Sequence, residues 1–264
     1  MKKQKFKPPR KLILIILIIL LAISFFIGYI WKFLTTSSYF TVSEVVCPET
    51  DVSRLSYLKG RNIFALDLKR ESWKILLGCS DCSNVRISRV LPNRLFINYF
   101  KRQPVALAKF YKYFALDQNG VFFFSRADYP LENLPVIYGL ETKIFAPRAG
   151  LSYNNKEVRL ALELIREFKA NRLLKNFQLK RIDLADPENT SVFILLPRSV
   201  SLEPVNGFSS LEWGGFEVRM GESNIKNKII ILGGMILQAK KDLLNIKYVD
   251  LRFKEPVIKL KNVK

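Results

Sequence analysis

The sequence predicts an α+β protein hung from a single N-terminal transmembrane helix. Three observations lead there: one long uncharged apolar run near the N-terminus, a strand-helix-helix-strand-strand order after it, and a longer stretch in which alternating strand patterns are interrupted by two helical patterns. Of the 264 residues, 49% are apolar and 25% charged, with 12 Gly and 12 Pro spread along the chain. Such a chain buries a core and is neither disordered nor fibrous. It contains no histidine and three cysteines, so imidazole-dependent catalysis is excluded, including the Ser-His-Asp and Cys-His constellations and the His-ligated zinc hydrolases.

The formal net charge is +20, which would suggest nucleic acid if the charge were spread as phosphate-binding patches. Its distribution argues for a membrane instead. Lys2, Lys3, Lys5, Lys7, Arg10 and Lys11 stand without an acid in residues 1–11, a basic cytoplasmic segment, and they abut the uncharged run Leu12–Trp31. At about 1.5 Å per residue that run is roughly 30 Å long, the thickness of a hydrocarbon core. A buried core helix would not be apolar on every face, as Leu12–Leu21 is. A cleaved signal peptide would end after ~7–15 apolar residues at small side chains, whereas this run continues through Phe25, Phe26, Ile27, Tyr29 and Trp31. The basic head keeps the N-terminus cytoplasmic and sends the remainder outside, with Tyr29 and Trp31 at the outer interface. Removing the six head charges from +20 leaves +14 on the exported part. That surface suits anionic lipid headgroups, anionic wall polymer or acidic partner proteins, and also plain solubility.

Thr35-Thr36-Ser37-Ser38 reads as a short polar joint. Phe40, Val42 and Val45-Val46 then suggest a first strand, and Asp51–Leu58 a short helix ended by Gly60. Asp67 is placed as the N-cap of a second helix carrying Leu68 and Ile75-Leu76-Leu77. Val85, Ile87 and Val90 lead into a turn at Leu91-Pro92-Asn93, and Leu95, Ile97 and Tyr99 alternate beyond it. Cys79-Ser80-Asp81-Cys82 has Cys-x-x-Cys spacing, yet it follows a helix instead of opening one, and three thiols without an imidazole fall short of a closed zinc site. A loop clip, incidental thiols, a redox pair and a metal site all remain open at this stage.

These residues resemble a known family. Leu58–Phe64, Val85–Ile97 and Lys101–Ala106 are similar to the POTRA domain of the bacterial division protein FtsQ, called DivIB in Gram-positive organisms. The family pattern is a Gly-x-Asn-apolar-Phe segment, a strand turning at Leu-Pro, and a Glu-Arg-x-Pro exit, where Lys101 here replaces the usual Glu. The likeness continues. Leu116–Phe122 looks like the family's Asp-x-x-Gly hairpin, and physically Asn119-Gly120 would supply positive-φ residues between strands Phe110–Leu116 and Val121–Ser125. Leu134–Gly139 matches a Leu-Pro-x-apolar-x-Gly segment. A helix over Asn155–Asn171, strands Phe177–Leu184, Val192–Leu196 and Phe216–Gly221, and a helix over Asn224–Leu244 follow. Gly233-Gly234 inside that last helix costs about 1 kcal/mol per glycine and would mark a close packing point. Lys247–Phe253 resembles the family's Tyr-x-Asp-Leu-Arg-aromatic signature, and Pro256–Lys261 has the short, apolar, lysine-protected pattern of an edge strand. Read without the family, Lys247–Phe253 is an alternating strand burying Tyr248 or Val249, Leu251 and Phe253.

The resulting organisation is a basic segment at 1–11, a transmembrane helix at 12–31, a POTRA domain at 38–103 and an FtsQ-type β domain at 104–264. The residues supply no catalytic, cofactor or metal site. The resemblance implies a septal scaffold of the cytoplasmic membrane that docks FtsB (DivIC)-like and FtsL-like proteins and helps regulate peptidoglycan synthesis, with no nucleic-acid partner. Docking would proceed by addition of a partner strand, and Arg252, Phe253, Val257, Ile258 and Leu260 are the expected contacts, Arg252 orienting an acidic side chain. Glu222 stands after Gly221, where family members can carry a basic residue. The rival functions are another POTRA-containing envelope-assembly protein and a membrane-anchored thiol oxidoreductase using Cys79 and Cys82.

Overall fold

The structure, a computed structural model, describes residues 10–48, 52–124, 133–197, 214–239 and 243–261. The chain divides into two compact units, one formed by Met1–Gly78 and Ser83–Phe100, the other by Cys79–Cys82 and Lys101–Lys264.

In the first unit, helix α1 (Arg10–Thr36) begins before the uncharged run and continues five residues past Trp31. Its stretch Ile13–Thr36 is the one segment among the described residues long and apolar enough to cross a membrane. The hydroxyls of Thr35 and Thr36 donate back to the Lys32 carbonyl at 3.1 and 2.6 Å. The expected polar joint is therefore helix up to Thr36, and Ser37 caps a 3-10 turn at Ser38–Phe40. That turn takes Phe40 out of the expected first strand; β1 is Glu44–Val46. The segment Val52–Leu58 is a 3-10 helix. Helix α2 (Leu68–Leu77) starts where Asp67 predicts, its carboxylate accepting from the backbone N–H groups of Lys69 and Arg70.

Strands β2 (Cys82–Val90) and β3 (Arg94–Lys101) follow, joined through the cis Leu91-Pro92 bond, and the sheet order is β1-β3-β2. β1 pairs parallel with β3, Val45 opposite Leu95. Val45, Leu55, Leu58, Ile63, Leu66, Val85, Ile87, Leu95 and Ile97 fill the core. One charge is sunk beside it. Glu71 is buried and receives Arg61 Nη1 at 3.2 Å, Lys74 Nζ at 3.1 Å and the Tyr57 hydroxyl at 3.2 Å. Burial pushes its carboxyl up, but hydrogen bonds from Lys74 and Arg61 outweigh this and hold it below the ordinary value.

The second unit is built on a nine-stranded sheet of order β12-β11-β10-β9-β8-β7-β4-β5-β6. The strands are β4 (Pro104–Lys109), β5 (Tyr113–Asp117), β6 (Phe122–Phe123), β7 (Val136–Tyr138), β8 (Gln178–Asp183), β9 (Ser191–Leu195), β10 (Gly215–Arg219), β11 (Ile246–Asp250) and β12 (Val257–Leu260). Helices α3 (Lys156–Ala170) and α4 (Ile225–Gln238) pack against each other. Their buried sides, Val158, Ala161, Leu164, Ile165 and Phe168 on one and Ile225, Ile229, Leu232 and Ile236 on the other, join sheet residues such as Ile137, Ile182, Ile194, Phe216 and Val218 in one core.

Local details depart from expectation. In the Asp117–Val121 turn only Gly120 has positive φ (+75°), because Asp117 Oδ1 accepts from the N–H groups of Asn119 and Val121 and fixes the turn with Asn119 on the ordinary side. α4 is shorter than Asn224–Leu244: Asn224, left-handed, precedes it and a separate 3-10 turn occupies Leu243–Asn245. Within α4, Gly233 is the close packing point, since a Cβ there would stand 3.2 Å from Leu173 Cβ, whereas one on Gly234 would meet nothing within 4 Å. Ser125, the expected end of a strand, lies outside the described residues.

Candidate partner-binding edge

A sheet must end somewhere, and its two ends here are treated differently. At the β6 end the backbone is answered from the same chain: Phe122 N–H donates to the Leu151 carbonyl (3.2 Å), Gly150 N–H donates to the Phe122 carbonyl (2.7 Å), and Val121 bridges Ser152. At the other end β12 pairs antiparallel with β11, Val249 opposite Ile258 and Asp250 opposite Val257. Among the described residues no strand lies beyond it. Its outer N–H and C=O groups are the free edge of the sheet.

The register sorts the side chains of β12. Ile258 and Leu260 stand opposite Val249 and Ile246, both core residues, while Val257 and Lys259 stand opposite Asp250 and Tyr248. Residues directly opposite share a face, so the core continues outward through Ile258 and Leu260 and stops unfinished, 37% and 49% exposed. Val257 is 50% exposed and Phe253 62%. Four of the five expected contact residues are therefore apolar and open to solvent within one short segment.

Arg252 is different. Leu251 is buried, its N–H donating to the Arg219 carbonyl, so β11 ends at Asp250 and the chain turns with Phe253 outside, against the expectation of a buried Phe253. Asp250, 4% exposed, receives Arg252 Nε at 3.0 Å, Nη2 at 2.6 Å and the Arg252 backbone N–H at 3.1 Å. Nη1 donates to Asn189 Oδ1. The Arg252 hydrogen bonds hold the Asp250 carboxyl below its ordinary value against the opposing effect of burial, and Asp250 in turn raises the guanidinium. The guanidinium is thus committed within the chain, and its geometry fixes the turn that displays Phe253, with Arg252 Cζ 5.7 Å from that ring.

Apart from Gly221, which the sequence marks as a strand end, the residues that hold this turn escaped sequence reasoning. Gly221 has φ +62°, and a Cβ on it would stand 3.0 Å from the Glu188 carbonyl and 3.7 Å from Arg252 Cγ. Buried Thr190 accepts through its carbonyl from Met220 and Gly221 N–H. Lys228 donates to the Met220 carbonyl, and burial lowers its pKa. Asn189 and Arg252 are 63 positions apart, and no local pattern announces such a contact. Glu222 is not a free acid at the dock, because it pairs with Lys156 at 2.5 Å.

The Cys-x-x-Cys segment leads from α2 into the first residue of β2 and is closed by a Cys79–Cys82 disulfide, leaving Cys47 as a free, half-buried thiol. The sulfurs and the Asp81 carboxylate come within 4.8 Å of one another, but sulfurs joined to each other are not the thiolates a metal requires. The loop clip is the arrangement found.

No family model matches the chain. It is 24% identical over 226 residues to the cell division protein FtsQ of Syntrophotalea carbinolica, an alignment taking in 83% of this chain and 73% of that one. With FtsQ of Geotalea daltonii it shares 25% identity over 177 residues, 67% of this chain and 57% of the relative. The chain is similar to FtsQ proteins over most of its length. Both relatives are cell-division proteins by name, and α1 of this chain has the length and composition of a membrane anchor. Its mixed α+β architecture is the one an FtsQ relationship predicts.

Proposed function

We propose that this FtsQ-like chain is a non-enzymatic, membrane-anchored scaffold of the septum that receives FtsB (DivIC)-like and FtsL-like partners by strand addition at β12, and through them influences septal peptidoglycan synthesis. Its N-terminus is cytoplasmic, and the part of the first unit that follows α1 lies outside together with the second unit, following the basic head before α1. The two units correspond to a POTRA domain and an FtsQ-type β domain. The observation that carries the reading is the asymmetry of the nine-stranded sheet: one edge is closed by 150–153, the other is open and bordered by exposed Phe253, Val257, Ile258 and Leu260. A partner strand would satisfy the free backbone groups of β12 while covering the unfinished core at Ile258 and Leu260. Arg252 contributes by holding Phe253 in place. An incoming acidic side chain would have to share the Arg252 guanidinium with Asp250 and Asn189.

The test is binding of the full-length protein in detergent to the extracytoplasmic segment of its own FtsB-like partner. Ile258→Pro, which removes a backbone donor from an exposed strand, should weaken binding at least tenfold, and Phe253→Ala, an exposed aromatic anchor, should cost about 2 kcal/mol. Wild-type affinity in both variants, each with an unchanged circular dichroism spectrum, would move the dock away from β12.

A further inference from the structure

The junction between α1 and the rest of its unit is a lock. Asn62 Nδ2 donates to the Leu34 carbonyl at 2.9 Å and to the Ser37 carbonyl at 3.3 Å, while its Oδ1 accepts from the N–H groups of Phe64 and Ala65. A side chain 28 positions away thus satisfies a carbonyl in the last turn of the anchor helix. The backbone closes the same junction: Val42 N–H donates to the Arg61 carbonyl, Gly60 N–H to the Val42 carbonyl, and Ile63 N–H to the Phe40 carbonyl. The rings of Phe40 and Phe64 meet edge to face at 5.1 Å. Gly60, at φ +78°, makes the tight turn this needs.

These bonds tie Asn62 to the end of α1 and the Lys59-Gly60-Arg61 turn before it to Val42. The apolar part of α1, Ile13–Thr36, has 24 residues, about 36 Å of helix against about 30 Å of hydrocarbon. With α1 across a bilayer, its last turn would lie at headgroup level, and the Asn62 tether would bring the Lys59–Arg61 turn toward the same level. The Lys59 side chain is exposed, with no partner among the described residues. Arg61 is exposed and gives one guanidinium nitrogen to Glu71. Tyr39, an exposed aromatic just beyond the helix, and Trp31 within it supply the amphipathic rings that settle at such an interface.

We infer that Lys59 and Arg61, held against α1 by Asn62, form a binding surface for the phosphates of anionic lipid headgroups, with Tyr39 beside it in the interface. The inference rests on α1 lying in a bilayer, and it applies whichever side the C-terminal units face. Two cations and an aromatic ring at headgroup depth complement an anionic phosphate over a zwitterionic one, and each cation so placed raises local affinity about fivefold. The anchor then sets the depth and tilt of its unit and does more than tether it.

The test replaces Tyr39 by the photocrosslinker p-benzoylphenylalanine in the full-length chain, reconstituted in vesicles of equal parts phosphatidylcholine and phosphatidylglycerol. Adducts are identified by mass spectrometry. The probe reads only its own neighbourhood, so the basic head at the far end of α1 does not contribute. Phosphatidylglycerol adducts should be several-fold over-represented, and Lys59→Glu and Arg61→Gln should each cut that excess about fivefold. Lipid adducts in the bilayer's own ratio, or an excess that Lys59→Glu leaves unchanged, would overturn the inference alone. Absence of any lipid adduct would overturn the anchored reading with it. Loss of the excess on adding inorganic phosphate would assign the site to free phosphate and also overturn it.

Discussion

Replacing Arg252 by Ala separates a structural role from a binding role, and its size can be worked from the geometry. The change removes three guanidinium–carboxylate contacts to Asp250, at 2.6, 3.0 and 3.2 Å, and one to Asn189. Asp250, 4% exposed in the intact chain, keeps the backbone N–H of residue 252 as its remaining contact in this group. Removing one partner of a fully buried ion pair costs about 3–5 kcal/mol. Here the Arg252 side chain is 29% exposed, so water can reach the orphaned carboxylate after truncation, and the expected loss is roughly 2–3 kcal/mol. In a unit of this size that is a fall of about 5–10 °C in Tm. Arg252→Lys, a single point charge unable to make the forked contact, should fall between.

The same geometry fixes the pH dependence. The folded pKa of Asp250 is depressed, so its contribution is present above the unfolded value of about 3.9 and lost as pH falls through the folded value. The gap between wild type and Arg252→Ala should be full at pH 7 and shrink once the carboxyl protonates, because a neutral acid no longer needs the guanidinium. The assay is thermal unfolding of the full-length protein in detergent, followed by intrinsic fluorescence from neutral to acidic pH. A gap below about 1 °C at pH 7, or one equally large at low pH, would show that the Asp250–Arg252 pair does not hold this turn.

Three further outcomes follow from the coordinates. Gly234→Ala should stabilise α4 by about 0.5–1 kcal/mol, because nothing lies within 4 Å of the new methyl, whereas Gly233→Ala, pressed against Leu173, should fail to do so; equal melting shifts would contradict this packing. Replacing Cys79 and Cys82 together by Ser opens a short clip and should cost at most roughly 2 kcal/mol while leaving complementation of a division-defective strain intact; a folded double variant unable to support division would revive the thiol-redox reading. Protease added to spheroplasts should degrade both units, and protection of them would reverse the proposed orientation.

Much of the local structure was legible because short-range physics decides it. The uncharged run that follows Lys11 forms α1, whose stretch Ile13–Thr36 is long and apolar enough to cross a membrane. Asp67 starts α2 because its carboxylate can reach two N–H groups that the helix leaves unpaired. The apolar spacing of Val158, Ala161, Ile165 and Phe168 places one side of α3 in the core. The Pro and lysines around Val257–Leu260 mark a strand protected against indiscriminate pairing, and the sheet ends there.

What only the tertiary structure decided involves partners far apart in the chain. β10 lies parallel to β11 and β7 lies between β4 and β8, arrangements that follow from burying α3 and α4 against one sheet and leave no mark within any single strand. Asn62 is only one position of the Gly-x-Asn-apolar-Phe segment until α1 is beside it. Arg252 reads as a free anchor until Asp250 and Asn189 are found on its guanidinium. Periodicity and capping reveal which groups will be buried or exposed along one element. Which buried charge meets which cation, and which sheet edge remains open, depends on how the elements pack, because those contacts exist only once the long-range pairing has formed.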